Sequence, residues 1–139
     1  MTDTSVSKDV LAREAITARA QAIAPYSGYQ VGAALLADSG EVITAGNIES
    51  STYGLTLCAE RVAIFSALAQ SHRQFAAIAI ATENGASPCG ACRQILWEFA
   101  GDIPVYLVDD NEHLKEHTMS DFFPHPFDAS HLPGGDERS

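Results

Sequence analysis

The apolar positions along this chain follow two alternating patterns, one helical and one strand-like. Helical spacing is seen in three segments, where apolar residues recur every three or four positions. These predicted helices cover residues 9–24, 58–68 and 88–99. Pro25 closes the first, and Ser87-Pro88 starts the third, because serine is a favoured N-cap and proline suits the first helical position.

Four shorter and mostly apolar runs predict β-strands. They cover residues 30–37, 41–48, 76–81 and 105–108. A turn at residues 38–40 joins the first two into a β-hairpin, whereas the uniformly apolar later runs belong in the interior of a sheet. After residue 108 we expect a weak extended segment and then a short helical turn capped by Ser120.

The order of these elements predicts one α/β domain. A hairpin followed by alternating helices and strands favours a three-layer α/β/α sandwich with a mixed central sheet of about five strands. The 139 residues and the 46% hydrophobic content suit a single domain. We expect this domain to cover residues 1–127, and residues 128–139, rich in proline, glycine and charge, to form a loosely ordered tail.

The charge balance limits which partners are expected. There are 18 acidic and 8 basic residues, which give a formal net charge of −10, and no basic cluster is interleaved with aromatics. Because this field repels polyanions, we expect a small, weakly charged substrate and no nucleic acid partner. The polar N-terminus and the lack of a long apolar run make a cytoplasmic protein without membrane contact the expectation.

The three cysteines fall at the beginnings of two predicted helices. Cys58 starts the second helix, and Cys89 and Cys92 lie three residues apart at the start of the third. Free backbone N–H groups and the positive end of the helix dipole favour thiolates there. Three thiolate ligands leave the fourth tetrahedral position of Zn²⁺ open for water, which is the arrangement of a catalytic zinc site.

Three charged residues adjoin these cysteines. Glu60 lies two residues after Cys58, within reach of metal-bound water without being a ligand, so it is the expected catalytic acid and base. Zinc lowers the pKa of such water to about 7, which generates hydroxide at neutral pH. Because three thiolates outweigh the charge of Zn²⁺, we expect Arg61 and Arg93 to hydrogen-bond the sulfurs and withdraw charge.

Two other interpretations of the cysteines stay open at this point. The Cys-x-x-Cys at residues 89–92 has the spacing of a thiol redox site, although such a site has no use for a third cysteine followed by a carboxylate. A structural zinc site would need a fourth protein ligand. Residues 113–117 match the zinc-peptidase order H-x-x-E-H, but they lack helical periodicity, so a solvated loop or an edge strand is expected.

A family resemblance is carried by the cysteines and their surroundings. Cys-Ala-Glu followed by Pro-Cys-x-x-Cys is the signature of the zinc-dependent nucleobase deaminases. Up to Phe127 the chain resembles the small homotetrameric cytidine deaminases. The segments that carry this resemblance are YSGYQVGAAL (residues 26–35), NIE (47–49), CAER (58–61) and SPCGACRQ (87–94). The resemblance implies a zinc enzyme that hydrolyses cytidine or 2′-deoxycytidine to the uridine product and ammonia, in pyrimidine salvage.

The same resemblance implies a set of substrate-binding residues. These are Tyr29, Asn47, Glu49, Tyr53, Ala59, Ser87 and Phe127. Asn47 and Glu49 would hydrogen-bond the sugar hydroxyls. The Ala59 N–H would bind the pyrimidine together with Glu60, and the Ser87 and Cys89 carbonyls would face the leaving amine. Tyr53 and Phe127 would reach into the site of a neighbouring subunit, so that a homotetramer shares its active sites.

The chain departs from the usual pattern of this family near the sugar and the base. Tyr29 stands where the family commonly has phenylalanine, Ser50 stands where it commonly has asparagine, and the loop at residues 82–87 is short. These differences leave open a sister enzyme for another aminated substrate, such as an N4-modified cytidine or a nucleoside antibiotic of the blasticidin S type.

Overall fold

A computed structural model describes residues 6–133 as a five-stranded sheet with helices on both faces. The strands are β1 Gly32–Ala37, β2 Val42–Gly46, β3 Phe75–Ala81, β4 Pro104–Val108 and β5 Leu114–Thr118. The helices are α1 Lys8–Ala18, α2 Ala59–Ala69, α3 Gly90–Ala100 and α4 Met119–Phe122. This is the three-layer α/β/α sandwich that the sequence predicts. Within residues 6–133, no helix combines the length and the apolarity that crossing a bilayer requires.

The sheet has the strand order β2-β1-β3-β4-β5 and is mixed. β3 and β4 run parallel, whereas the other neighbouring pairs run antiparallel. A parallel pair needs a long crossover, and α3 supplies it between β3 and β4. The chain therefore leaves the sheet at the carboxyl end of β3 and passes through residues 82–89 before α3 begins.

Alternating side chains of β1 divide the core between the two faces of the sheet. Ala33 and Leu35 pack in the cluster that includes α2 and α3, whereas Ala34 and Leu36 pack in the cluster that includes α1. All residues of β1 are buried, because helices cover both faces of this central strand. This explains why the run is apolar throughout instead of alternating.

Two helix boundaries differ from the sequence prediction. The first helix ends at Ala18 and continues only as a 3-10 turn, Arg19–Gln21, so it does not reach residue 24. The third helix has Cys89 as its N-cap, two residues later than expected. The predicted cap, Ser87, instead accepts a hydrogen bond from Arg93 through its hydroxyl at 3.3 Å.

The last elements lie at the edge of the sheet. The weak extended segment is the edge strand β5. The short helix that follows is capped by Thr118 and not by Ser120, because the Asp121 carboxylate accepts from the Thr118 N–H at 2.9 Å. A 3-10 turn, Ala129–His131, comes next and is capped by Asp128. The domain boundary at residue 127 stays a prediction, and residues 134–139 of the predicted tail lie outside the described residues.

Candidate active site

Two helix N-termini meet beside the end of β3. Cys58 is the N-cap of α2, and Cys89 is the N-cap of α3, with Cys92 in the first turn of that helix. Both helices pack on the same face of the sheet. The parallel crossover therefore brings Cys58 and Cys89 together, although 31 positions separate them in the chain.

The three sulfurs have the spacing of metal ligands. Cys58 Sγ lies 3.6 Å from Cys89 Sγ, which lies 3.4 Å from Cys92 Sγ, and the three lie within 4.8 Å of one another. Zn–S bonds of about 2.3 Å at tetrahedral angles place sulfurs about 3.8 Å apart, so this cluster fits Zn²⁺ with small adjustments. Among the residues that the structure describes, no other group of three His, Cys, Asp or Glu side chains has such a spacing.

The histidines of the H-x-x-E-H stretch lie elsewhere. His117 is part of the edge strand β5, and His113 precedes that strand. His113 Nδ1 is 3.5 Å from an Asp109 carboxylate oxygen, and His117 Nδ1 is 3.9 Å from one of Asp121. The expectation of a loop or an edge strand is confirmed, and these two histidines do not share a helix face.

Glu60 lies in the first turn of α2, just after Cys58, and is buried. The residue is only 4% exposed, and its Oε1 has no hydrogen-bond partner among the described residues. Burial raises the pKa of Glu60 to about 7, and the nearby Cys58 sulfur also raises it. A buried carboxyl oxygen without a partner is costly, so it marks a group that serves a ligand or a proton.

The sulfurs differ in how readily they lose a proton. Hydrogen bonds from Cys92 and Arg61 lower the pKa of Cys58 to about 5, against the opposing effect of burial. Donating to Cys58, together with burial, raises the pKa of the Cys92 thiol. Metals bind thiolates, so the lowered pKa of Cys58 favours the form of this sulfur that a divalent ion needs.

Arg61 contacts the sulfur cluster as the sequence predicts. Its Nη2 donates to Cys58 Sγ at 3.6 Å and to the Thr56 carbonyl at 3.3 Å. The guanidinium thus places positive charge beside a sulfur and ties it to the segment that precedes α2.

Arg93 takes a different position from Arg61. Its guanidinium donates to the Pro88 carbonyl at 2.8 Å, the Phe122 carbonyl at 3.1 Å and the Ser87 hydroxyl at 3.3 Å. It also lies over the Phe122 ring. These contacts hold the loop that leads into α3, and none of them reaches a sulfur. The prediction that Arg93 hydrogen-bonds a sulfur therefore does not match its described partners.

A cleft of about 260 Å³ opens beside the sulfurs and Glu60. Four predicted substrate-binding residues line it, namely Tyr29, Asn47, Glu49 and Ser87. Ala59 is fully buried at the start of α2. The cleft also has lining residues that sequence reasoning missed, namely Ser27, Val31, Thr56, Leu57, Ile80, Thr82 and Ala86. Most are small or apolar, and in a sequence such residues are indistinguishable from core.

Asn47 and Glu49 build one wall of the cleft, which we call the sugar-side wall after the role that the sequence predicts for these two residues. Asn47 Oδ1 accepts from the Val31 N–H at 2.9 Å, and its Nδ2 donates to the Tyr29 carbonyl at 3.0 Å. The Glu49 carboxylate accepts from the backbone N–H of Ser27 at 3.1 Å and from the Ser27 hydroxyl. These bonds lower the pKa of Glu49 and keep this wall anionic.

Tyr53 and Phe127 lie on the surface, and neither ring lines the cleft of its own chain as far as the structure describes it. Tyr53 is 75% exposed and Phe127 is 55% exposed. Tyr53 borders a second cavity of about 330 Å³, which shares Ser27, Glu49 and Thr56 with the cleft. The Phe127 ring stacks on His131 with 5.3 Å between the ring centroids.

Comparisons with known proteins agree with this arrangement. Residues 6–107 match the family model described as "Cytidine and deoxycytidylate deaminase zinc-binding region". The cytidine deaminase of Halalkalibacterium halodurans is 44% identical over 130 residues, which cover 91% of this chain and 98% of that relative. The cytidine deaminase of Sporosarcina psychrophila is 45% identical over 125 residues, which cover 88% of this chain and 92% of that relative.

Solved structures show the same similarity. The crystal structure of cytidine deaminase from Burkholderia pseudomallei superposes with a TM-score of 0.85 at 40% sequence identity. The superposition covers 87% of this chain and 99% of that one.

Proposed function

Because the chain belongs to the cytidine and deoxycytidylate deaminase family of zinc-dependent hydrolytic enzymes, we propose that it converts cytidine and 2′-deoxycytidine to uridine and 2′-deoxyuridine with release of ammonia. The observation that carries this proposal is the buried Glu60 oxygen without a partner, next to three sulfurs at metal-ligand spacing in a cleft. A thiol redox function is not favoured, because the family is hydrolytic. A modified cytidine or a nucleoside antibiotic is not favoured as substrate, because two relatives that are 44% and 45% identical over most of this chain are cytidine deaminases.

The charges of the cleft support a nucleoside as substrate rather than a nucleotide. None of the described residues that line the cleft or the second cavity is a lysine or an arginine. Glu49 faces both spaces, and the whole chain carries a formal net charge of −10. A phosphate group on the sugar would therefore lose its hydration without gaining a positive partner.

The three cysteines are suited to hold a metal ion. Cys58, Cys89 and Cys92 would hold Zn²⁺, which when bound would supply a Lewis acid able to lower the pKa of water to about 7. The donation from Arg61 to Cys58 Sγ draws charge from one sulfur and so limits the loss of Lewis acidity that three thiolates cause.

Glu60 moves the protons of the reaction. Its unpaired oxygen takes a proton from the attacking water and delivers it to ring nitrogen N3, so that the oxygen can bond to C4. In a second transfer, Glu60 takes the proton of the new hydroxyl on C4 and gives it to the departing amine, so that the C4–N bond breaks as the C4 carbonyl forms. One water is consumed and one ammonia is released, and the carboxylate is regenerated.

The walls of the cleft hold the substrate in place. Asn47 and Glu49 bind the sugar hydroxyls, and the Ala59 N–H binds the pyrimidine ring. The Ser87 and Cys89 carbonyls accept hydrogen bonds from the amine that leaves. Asn47, Glu49, Ser87 and Cys89 line the same cleft, and Ala59 is the neighbour in the chain of two lining residues. This placement supports these roles.

The exposed aromatic rings support an assembly of several copies. Tyr53 and Phe127 are large, exposed and outside their own cleft, as residues that complete a neighbour's site would be. The enzyme would then act as a homotetramer, in the cytoplasm, in pyrimidine salvage.

One experiment tests the substrate assignment. Purified enzyme with quantified zinc is given cytidine, 2′-deoxycytidine, N4-methylcytidine, blasticidin S, deoxycytidine monophosphate and a single-stranded oligonucleotide, and the loss of ultraviolet absorbance is followed. We expect the two unmodified nucleosides to react far faster than the others. Faster reaction of the nucleotide or of the oligonucleotide would contradict the argument from charge, and activity in metal-free protein would contradict the mechanism.

A further inference from the structure

The side chain of Tyr29 connects the two walls of the cleft. Tyr29 lines the cleft, and its backbone carbonyl accepts from Asn47 Nδ2 on the sugar side. Its hydroxyl donates to Asn84 Oδ1 at 2.8 Å, a length typical of a well-formed O–H···O bond. Asn84 belongs to the loop after β3, and 55 positions separate it from Tyr29, so this bond joins two distant parts of the chain.

Further hydrogen bonds extend from Asn84 to the backbone of the loop. Its Oδ1 also accepts from the Thr82 hydroxyl at 3.2 Å, and the Thr82 oxygen accepts from the Ala86 N–H at 2.9 Å. These three hydrogen bonds can all form at once, because the Tyr29 hydroxyl and the Thr82 hydroxyl each donate only one proton. Thr82 and Ala86 line the cleft, and the next residue, Ser87, lines it as well.

We propose that the Tyr29 hydroxyl is a positioning group that holds the wall at residues 82–87 against the sugar-side wall and thereby sets the width of the cleft. This proposal rests on the proposed function, since it concerns how that site grips a nucleoside. A phenylalanine at this position would keep the ring and lose the connection. The loop at residues 82–87 is short, so holding Asn84 Oδ1 in place restricts the conformations of much of the loop.

The position of the hydrogen bonds determines which kinetic constant should change. The loop wall surrounds the substrate before and during the reaction, and neither Tyr29 nor Asn84 is a proposed metal ligand or proton carrier. A looser wall therefore weakens binding of the ground state and of the transition state alike, which raises KM and leaves kcat nearly unchanged. A merely structural role would instead lower the folded active fraction and reduce the apparent kcat at constant KM.

The test uses the zinc-loaded variants Tyr29→Phe, Asn84→Ala and the double variant. We expect Tyr29→Phe to raise KM for cytidine about 3- to 10-fold, as for the loss of one neutral hydrogen bond, with kcat within about twofold. Because both variants break the same series, adding Tyr29→Phe to Asn84→Ala should change KM by less than about twofold. The matched control is Tyr106→Phe, which removes a hydroxyl from a side chain packed with α1 on the other face of the sheet.

A second measurement does not depend on activity. Hydrogen exchange of a peptide that covers residues 82–87 should speed up in Tyr29→Phe and stay unchanged in Tyr106→Phe. Without the Tyr29 bond, Asn84 holds the Thr82 hydroxyl less firmly, and this hydroxyl is the acceptor of the Ala86 N–H. Unchanged KM and unchanged exchange in Tyr29→Phe, or equal effects in the control, would overturn the positioning role. If wild-type enzyme fails to deaminate cytidine, the proposed function fails, and the exchange data still decide whether Tyr29 holds the loop.

Discussion

Two buried polar atoms on neighbouring residues, Glu60 Oε1 and Arg61 Nε, have no hydrogen-bond partner among the described residues. Leaving such an atom unpaired costs about 1–3 kcal/mol, and more when the group is charged. Glu60 and Arg61 lie two and three residues after Cys58, so the cost is concentrated near the sulfur cluster. A polar group kept unsatisfied at one place points to a site prepared for a ligand, and there the loss of stability serves function.

Replacing Glu60 tests the proton transfers. We expect Glu60→Ala to keep its zinc and to lose at least about 10²-fold in rate, because a general acid and base contributes that much or more. Glu60→Gln, which preserves the size of the side chain, should lose as much. Steady-state kinetics and metal analysis measure both effects, with Glu14→Gln on the exposed face of α1 as control. Near-normal turnover in Glu60→Ala would remove Glu60 from the mechanism.

The two arginines offer a contrast. Arg61→Ala should slow turnover about 10- to 100-fold while zinc stays bound, because the guanidinium that withdraws charge from Cys58 is lost. Arg93→Ala should also slow turnover with zinc retained, but through a displaced loop, since its partners are Pro88, Ser87 and Phe122. Full activity with the wild-type pH dependence in both variants would count against these roles, and Arg13→Ala is a control on α1.

At the scale of elements, α1 and the segment that directly follows it approach the sheet so closely that two strand positions require glycine. A Cβ on Gly32 would lie 2.0 Å from the Ala15 carbonyl oxygen, and one on Gly46 would lie 2.4 Å from the Ala22 nitrogen. Neither glycine has a positive φ, so the requirement is one of space. Gly46 directly precedes Asn47, and this close packing therefore also places the sugar-side wall of the cleft.

The stability of Gly32→Ala tests this packing. We expect a loss of about 3 kcal/mol or more in the free energy of unfolding, because the added methyl group meets backbone atoms that cannot move away. Chemical denaturation measures the change. Gly54→Ala is the matched control, because a Cβ there meets nothing within 4 Å, and its effect should stay within about 0.5 kcal/mol. Equal stabilities of the two variants would show that α1 does not constrain β1.

At the scale of the whole molecule, large apolar side chains are exposed near the cleft. Five of them belong to its surroundings, namely Ile23, Tyr26, Ile48, Tyr53 and Leu55, each more than 40% exposed. Backbone pairing joins Ile23 to Ile48, and the rings of Tyr26 and Tyr53 meet edge to face with centroids 6.1 Å apart. Exposed large apolar side chains that pair with one another in this way are typical of an interface, which supports the proposed assembly of copies.

A complementation experiment tests whether subunits share their sites. Phe127→Ala should keep its zinc and lose about tenfold in kcat/KM, as for the loss of one aromatic contact. In hybrids assembled from Glu60→Ala and Phe127→Ala chains, some sites combine an intact Glu60 with a neighbour's intact Phe127. Activity should therefore exceed the sum of the two parents. As a control, replacing the Glu60→Ala chains with Glu60→Ala/Phe127→Ala chains should abolish this gain in activity. If sedimentation shows that the wild-type enzyme consists of single chains, the proposed assembly is wrong.

The sequence by itself determined the helices and strands, and it predicted the cluster of cysteines at the starts of two helices. Helical and strand-like periodicity predicted the mixed sheet covered on both faces, and ligand chemistry at two helix starts predicted that Cys58, Cys89 and Cys92 meet near Glu60. The elements and the helix-start positions of the cysteines depend on local order along the chain, which a sequence records directly. That the cysteines meet across 31 positions was inferred from the number of ligands that zinc requires. The structure places these side chains as expected, and their catalytic roles stay predictions.

Only the tertiary structure decided which groups face one another across the cleft. Arg93 follows Cys92 directly and Arg61 lies three residues after Cys58. Arg61 contacts a sulfur, but Arg93 binds carbonyls of the loop before α3 and of α4, because α4 packs against α3 at that point. Tyr29 meets Asn84 because β1 and β3 are neighbours in the sheet and their flanking segments emerge at the same edge. Such contacts join residues far apart in the chain, and no pattern of spacing along the sequence encodes them.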